Sequence, residues 1–164
     1  MDLVTISILA ILFLVYFTAN NKNTGNEVLN YHLRTAYHAD LRHLAANSIS
    51  FFALSNLERA IGWDKYLGAV IFIWVVSSML LYVYHVMFPS RKIYTIGFSS
   101  VVFGLTVVYA ATLKNNPGMS IAGLVATIVP QIFVPGISFE GHAAGIIAGI
   151  IFISLFSPSK LLIK

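Results

Sequence analysis

The feature that most constrains this chain is a series of apolar runs, each about 17 to 25 residues long, separated by short polar stretches. A helix of about 20 apolar residues crosses the hydrocarbon core of a bilayer, which is roughly 30 Å thick. The most apolar run, YLGAVIFIWVVSSMLLYVYHVMF at residues 66–88, ends just before Pro89. The pattern predicts an all-α, polytopic membrane protein.

Composition supports this class and argues against several functions. Hydrophobic residues make up 58% of the chain and charged residues only 10%, whereas soluble domains carry roughly 25% charged residues. The net charge is +4, but the basic residues stand singly beside apolar runs, as Lys and Arg do around membrane helices, so no nucleic acid partner is expected. Cysteine is absent, which excludes disulfides, thiolate metal ligands and a thiol nucleophile.

Six runs are long enough to be membrane spans, and together they predict one membrane domain over residues 1–164. The predicted spans are residues 3–19, 43–61, 66–88, 97–113, 118–134 and 141–157. Gly62 is expected to end the second span, and Pro130 and Pro135 are expected to kink or shorten the fifth. Between the first two spans lies the one long hydrophilic stretch, which is interpreted as a polar loop.

The first run is interpreted as a retained span. It is longer than the apolar core of a secretory signal, and Asp2 rather than a positive charge precedes it. Six spans place both termini on one side of the membrane. The basic residues between spans divide almost evenly between the two sides, so the positive-inside rule leaves the orientation open.

Polar side chains cluster at the starts of the even-numbered spans. His43 and Asn47 begin the second span, Ser99 and Ser100 the fourth, and His142 the sixth. Because even-numbered spans run in the same direction, these ends lie at one face of the membrane and at similar depth. Polar and ionisable groups in a membrane are costly and generally functional. The topology therefore predicts one layer that contains hydroxyl, imidazole and carboxamide groups.

The spacing within each span supports a shared pocket. His43 and Asn47 are four residues apart and so share a helix face, and the same spacing places Phe103 beside Ser99. Ser99 stands near a helix N-terminus, where free backbone N–H groups and the positive end of the helix dipole provide the elements of an oxyanion hole.

Glycines recur every fourth residue in the last span, at Gly141, Gly145 and Gly149. A stripe of small residues lets a neighbouring helix approach closely, which would bring His142 within hydrogen-bond reach of a serine. A histidine beside a serine can act as its general base. The combination predicts acyl transfer or hydrolysis.

Three stretches, HADLRHLAANSISFFALSNLERAIG, GFSSVVFGL and GHAAGIIAG, together resemble the rhomboid family of intramembrane serine proteases. The resemblance covers about residues 3–158. It implies a six-helix fold with a Ser–His dyad, in which Ser99 is the nucleophile and His142 the general base, without a third acidic partner. It also implies an oxyanion hole formed by the side chains of His43 and Asn47 and by the backbone amide of Ser99.

The resemblance assigns supporting positions as well. Gly97 opens the serine motif, Phe103 stacks on His142, His38 precedes His43 in the family's register, and Gly145 and Gly149 form the close-packing stripe. In a further match, Glu58 corresponds to a structural acidic residue near the end of the second span. No cofactor and no metal are implied.

The resemblance further implies a partner and a location. The expected substrates are proteins with transmembrane helices, cleaved in or near the helix within the lipid bilayer. The site is expected to open to the extracytoplasmic side of the cell membrane, with both termini cytoplasmic. The oligomeric state and the substrate stay undefined.

Two departures from the family pattern matter. Ser100 replaces the glycine that commonly follows the nucleophile, which leaves open which of the two serines reacts. The Trp–Arg pair of the family's first loop is absent, and Tyr31 and Arg34 are candidates for its place.

Other interpretations of single residues remain. Ser99 alone fits a helix N-cap, and His142 alone fits an interhelical hydrogen bond. His32, His38 and His85 fit structural roles, whereas a zinc site of His38, His43 and His142 is the metal-binding alternative. The glycine stripe also fits dimerisation. Four aromatic residues are expected to lie in the interface or to face lipid: Trp63, Trp74, Tyr82 and Tyr84.

Two other functions compete with proteolysis. The first is a catalytically inactive relative that binds or escorts membrane proteins. The second is a small transporter or channel, which would predict paired charges or broken helices near the middle of the bilayer.

Overall fold

The computed structural model describes residues 2–20, 22–89, 97–114, 117–130 and 138–163. Every regular element in these ranges is helical, so the predicted all-α class is confirmed. The α-helices are α1 (Leu3–Thr18), α2 (Glu27–Arg34), α3 (Leu41–Ala53), α4 (Ser55–Ile61), α5 (Trp63–Met87), α6 (Ser99–Leu113), α7 (Pro117–Ile128), α8 (Phe139–Leu155) and α9 (Pro158–Leu161).

The helices differ from the predicted spans at specific points. The predicted second span is two helices, because the N–H of Leu54 bonds to the carbonyl of Phe51 at 3.1 Å and tightens the turn between α3 and α4. α4 ends where Gly62 adopts a φ of +91°, as expected for this glycine. The predicted end of the fifth span, with Pro135, lies outside the described residues.

The stretch predicted as a polar loop contains α2. Its start is capped by the Asn26 side chain, which accepts a hydrogen bond from the N–H of Leu29 at 3.0 Å. Tyr31 is buried and fixes one face of the helix to the bundle, whereas Val28 and Leu29 are exposed. The prediction of a loop was wrong for residues 27–34, because the cap and the contacts of Tyr31 with α5 stabilise a short helix there.

Among the described helices, α5 alone combines the length and hydropathy needed to cross a membrane, with 25 residues and an 18-residue stretch whose mean hydropathy is 2.1. At a rise of 1.5 Å per residue it extends about 38 Å. α1, α6 and α8 are apolar but shorter, with 16, 15 and 17 residues. Six complete spans therefore stay a prediction.

α6 lies at the centre of the bundle and packs against both α5 and α8, which also pack against each other. Val101, Leu105, Val107 and Val108 are fully buried although they lie on different sides of the helix, and a helix that is apolar all round belongs in the interior. The central position of α6 matters because Ser99 is its first residue.

Glu58 ties α1 to α4 at the opposite end of the bundle from Ser99. Its carboxylate, 2% exposed, accepts hydrogen bonds from the N–H of Val4 at 2.8 Å, the N–H of Thr5 at 2.9 Å and the hydroxyl of Thr5 at 2.7 Å. A carboxylate at a helix N-terminus satisfies free N–H groups and complements the helix dipole. The structural role expected for Glu58 is consistent with these contacts.

Replacing Glu58 with alanine is expected to lower the free energy of unfolding by about 3 kcal/mol, because it removes charge-assisted hydrogen bonds and leaves buried donors unpaired. Reversible unfolding in detergent micelles, followed by circular dichroism, measures the loss. Thr5→Val is the matched control, since it removes one of the three hydrogen bonds and is expected to cost about 1 kcal/mol. If Glu58→Ala lowers the free energy of unfolding no more than Thr5→Val does, the proposed role of Glu58 in joining α1 to α4 is contradicted.

Candidate active site

The side chains of Ser99 and His142 contact each other directly. Ser99 is the first residue of α6 and His142 lies in the first turn of α8. The Oγ of Ser99 lies 2.9 Å from Nε2 of His142, the geometry of a hydroxyl nucleophile and its general base. Two residues far apart in sequence are thus placed together by the parallel arrangement of α6 and α8.

The turn before Ser99 requires glycine at position 97. Gly97 has a φ of +120°, a conformation that L side chains rarely adopt. A Cβ there would lie 2.5 Å from Cε1 and 2.8 Å from Nε2 of His43. The helix cap position is Phe98 rather than Ser99, so the N-cap interpretation of Ser99 does not describe this structure.

His43 and Asn47 lie on one face of α3 and point toward the turn at Gly97. Nδ2 of Asn47 would be 3.4 Å from a Cβ at Gly97, next to the His43 ring. Asn47 is 7% exposed, and its Nδ2 has no hydrogen-bond partner within the described part of the chain. A buried amide donor without a partner costs about 1–3 kcal/mol, so Nδ2 of Asn47 is available to bind an acceptor at this turn.

His38 packs against His43 and so supports its position. Among the described residues, its ring forms no hydrogen bond with Ser99 or His142. Its ring is fully buried and packs edge-on against the His43 ring, with centroids 5.2 Å apart. Asn20 fixes its backbone through hydrogen bonds of 2.7 and 3.0 Å. Burial, and after it the neighbouring His43, lowers the pKa of His38 to about 4, so this ring is neutral near pH 7.

Phe103 lies one helical turn after Ser99 and stacks on the His142 ring. The ring centroids are 4.4 Å apart with an interplanar angle of 26°. The contact fixes one face of the imidazole, and it is the stacking that the family resemblance implies for Phe103. In the described ranges, no three His, Cys, Asp or Glu side chains are arranged to bind one metal ion together.

The glycine stripe of α8 faces α6. A Cβ at Gly145 would collide with the carbonyl oxygen of Ser100, and one at Gly149 would lie 2.5 Å from the carbonyl oxygen of Gly104. Both glycines are buried inside the bundle, so the stripe serves internal packing here and not the dimerisation alternative. The close approach brings the first turns of the two helices together.

Sequence reasoning missed a second polar group beside the dyad. The hydroxyl of Tyr31 lies 2.8 Å from Nδ1 of His85, and the hydroxyls of Thr35 and Ser78 are 3.1 Å apart. Ser77 contacts the Ser100 hydroxyl at 3.5 Å. A cavity of about 20 Å³ lies beside this group, and its lining includes Tyr31, Thr35, Ser77, Ser78, Ser99 and Ser100. The sequence signal that indicates this polar group is the presence of Ser77, Ser78 and His85 inside the most apolar run.

Trp74 also differs from expectation. It was predicted to lie in the interface or face lipid, but it is half-buried and its indole N–H donates a hydrogen bond to the carbonyl of His32 at 2.8 Å. Tyr82 packs against the Tyr31 ring, with centroids 5.4 Å apart. Both aromatics therefore help to hold α2 against α5.

Comparisons with known proteins agree with this architecture. A family model described as "Rhomboid domain" matches residues 25–159. The chain is 54% identical over 161 residues to "Putative rhomboid protein L523" of Acanthamoeba polyphaga mimivirus, covering 98% of this chain and 94% of that protein. It is 28% identical over 141 residues to "Rhomboid-like protein 14, mitochondrial" of Arabidopsis thaliana, covering 75% of this chain and 42% of that protein. No solved structure matches. The chain belongs to the rhomboid family of membrane proteins.

Proposed function

We propose that this chain is an intramembrane serine endopeptidase that hydrolyses a peptide bond in or near a transmembrane helix of another membrane protein. The observation that carries the proposal is the 2.9 Å contact between Oγ of Ser99 and Nε2 of His142 in a chain of the rhomboid family. A hydroxyl at a helix start beside an imidazole is the arrangement that nucleophilic catalysis needs.

In this mechanism Nε2 of His142 takes the proton of Ser99 as Oγ attacks the substrate carbonyl carbon. The imidazolium then gives that proton to the departing amine, and an acyl-enzyme ester forms on Ser99. His142 next takes a proton from water, whose oxygen attacks the ester, and the proton returns to Ser99 as the carboxylic acid leaves. No carboxylate assists His142 in the proposed dyad. Stacking on Phe103 orients the ring instead.

The negative oxygen of the tetrahedral intermediate needs preorganised donors. The backbone N–H of Ser99 is free at the start of α6, and the side chains of His43 and Asn47 border the same turn. The unpartnered Nδ2 donor of Asn47 supports this assignment, because the oxygen of the intermediate can accept its hydrogen bond. His38 positions His43, whereas Gly97, Gly145 and Gly149 provide the close approach of the elements.

We further propose that residues 1–164 form one six-span membrane domain. Its site opens to the extracytoplasmic side of the cell membrane, with both termini cytoplasmic. The orientation rests on the family resemblance. Substrates enter from the surrounding bilayer as transmembrane helices, and the reaction uses no cofactor.

Labelling of the purified, folded protein with a fluorophosphonate probe tests the function, because such probes form a covalent adduct with activated serines. Peptide mass spectrometry locates the adduct, and a reporter with one transmembrane helix tests cleavage. An adduct on Ser99 together with cleavage is expected. An adduct on Ser100 would move the nucleophile by one residue. The absence of both in a folded protein would favour an inactive relative that binds or escorts membrane proteins.

A further inference from the structure

α2 is joined to α5 by two buried side-chain hydrogen bonds. The hydroxyl of Tyr31 lies 2.8 Å from Nδ1 of His85, and Oγ1 of Thr35 lies 3.1 Å from Oγ of Ser78. All four residues are less than 9% exposed. Hydrogen bonds in such an interior are strengthened by the low local dielectric, and leaving either partner unpaired is costly.

The last residue of α2 is bonded to the turn that carries the nucleophile. The carbonyl of Arg34 accepts a hydrogen bond from the N–H of Gly97 at 3.0 Å. Arg34 lies between Tyr31 and Thr35 in sequence, so both bonds to α5 flank the carbonyl that binds Gly97. A continuous set of contacts thus runs from α5 through α2 to the residue two positions before Ser99.

The structure assigns Tyr31 and His85 as positioning residues for the nucleophile: their hydrogen bond holds α2 where the Arg34 carbonyl fixes Gly97, and through Gly97 the Ser99 hydroxyl and amide. This inference rests on the proposed function for its effect on catalysis. Neither side chain is assigned a contact with substrate.

Two features make the position of Ser99 sensitive to α2. α2 has eight residues and is too short to be stable alone, so its place depends on its bonds to the bundle. Gly97 has no free space either, since a Cβ there would already lie 2.5 Å from the His43 ring. A displacement of the Arg34 carbonyl is therefore transmitted to Gly97 and to the donors around it.

The test compares the wild type with Tyr31→Phe, His85→Leu and His85→Asn. The first two remove the hydrogen bond, whereas the amide of asparagine occupies the place of Nδ1 and restores a partner for the Tyr31 hydroxyl. Tyr82→Phe is the matched control, because it deletes a tyrosine hydroxyl from the ring that packs against Tyr31. Three quantities are measured: the rate constant of fluorophosphonate labelling per folded molecule, kcat and KM for a transmembrane reporter, and hydrogen exchange of the peptide containing Gly97.

Tyr31→Phe and His85→Leu are expected to lower the labelling rate constant and kcat by about tenfold or more, since small displacements of reacting groups have large effects on rate. KM is expected to change little, and the amide of Gly97 is expected to exchange faster. His85→Asn is expected to recover most of the loss, and Tyr82→Phe to match the wild type.

Unchanged labelling per folded molecule in Tyr31→Phe, or unchanged exchange at Gly97, would overturn the inference, and so would an equal loss in His85→Asn and His85→Leu. If His85→Leu does not fold, Tyr31→Phe and Thr35→Val decide the same question. A wild-type protein that shows no labelling, yet faster exchange at Gly97 in Tyr31→Phe, would overturn the proposed protease and leave the positioning contact standing.

Discussion

Replacing Ser99 with alanine is expected to lower the rate of peptide-bond hydrolysis by about 10⁴-fold or more, the loss seen when a serine hydrolase loses its nucleophile. The substitution removes the oxygen that lies 2.9 Å from Nε2 of His142 and leaves the backbone of α6 unchanged. Alanine favours a helix, so the folded fraction is expected to stay at the wild-type level. Cleavage of a transmembrane reporter at matched folded concentration measures the effect.

Ser100→Ala is the matched control for this prediction. It deletes the same atoms one residue later, where the hydroxyl contacts Ser77 at 3.5 Å rather than His142. Ser100→Ala is expected to lower the rate of peptide-bond hydrolysis by only a small fraction of the loss expected for Ser99→Ala. A larger loss in Ser100→Ala than in Ser99→Ala would contradict the dyad and exchange the roles of the two serines.

His142→Ala extends the same prediction to the base. If Ser99 and His142 act as one unit, the double variant Ser99→Ala/His142→Ala is expected to be no slower than Ser99→Ala alone, because the second substitution removes a group that has lost its partner. Additive losses in the double variant would mean that the two side chains act independently, and the Ser–His dyad would be excluded.

Much of the candidate site could be predicted, because the positions of its residues follow from local spacing and from the direction in which each span crosses the membrane. His43 and Asn47 lie four residues apart on α3, and Ser99 and His142 begin helices that run in the same direction, so their proximity needs only the order of the helices. The one-turn spacing places Phe103 beside Ser99, whereas its stacking on His142 is implied by the family resemblance.

The break at Leu54 and the helix α2 could not be predicted in this way. The predicted span around Leu54 holds no glycine or proline before Gly62, and the adjoining Ser55 and Asn56 are only weak signals of the turn between α3 and α4. Tyr31 and His85 are 54 positions apart, and each looks like an ordinary interfacial residue until the packing of α2 on α5 brings them together. Tertiary contacts of this kind carry no periodic signal in the sequence.

The second large effect is expected for Gly145→Ala, which should force α6 and α8 apart. A Cβ at this position would collide with the carbonyl oxygen of Ser100 and lie 2.8 Å from its carbonyl carbon and 2.9 Å from its Cα. All three atoms are backbone, so no side chain can rotate away, and the helices themselves must move. Overpacking of this kind typically costs about 1–3 kcal/mol.

The effect on catalysis is expected to exceed the effect on folding. Ser100 follows Ser99 directly and Gly145 lies one turn after His142, so the collision acts between the two members of the proposed dyad. A separation of about 1 Å between reacting groups can lower a rate by about 100-fold. Labelling of Ser99 by a fluorophosphonate, measured per folded molecule and beside the unfolding free energy, separates the two effects.

Gly68→Ala and Gly149→Ala give this prediction its controls. A Cβ at Gly68, in α5, meets no atom within 4 Å, so the same substitution there is expected to leave labelling unchanged and to stabilise the helix slightly. Gly149→Ala collides with Gly104 one turn deeper in the bundle, away from the dyad. It is therefore expected to lower stability as much as Gly145→Ala while lowering labelling per folded molecule less. Equal labelling losses at Gly145 and Gly149 would show that the stripe acts only through stability, and the link between close packing and the Ser99–His142 contact would fail.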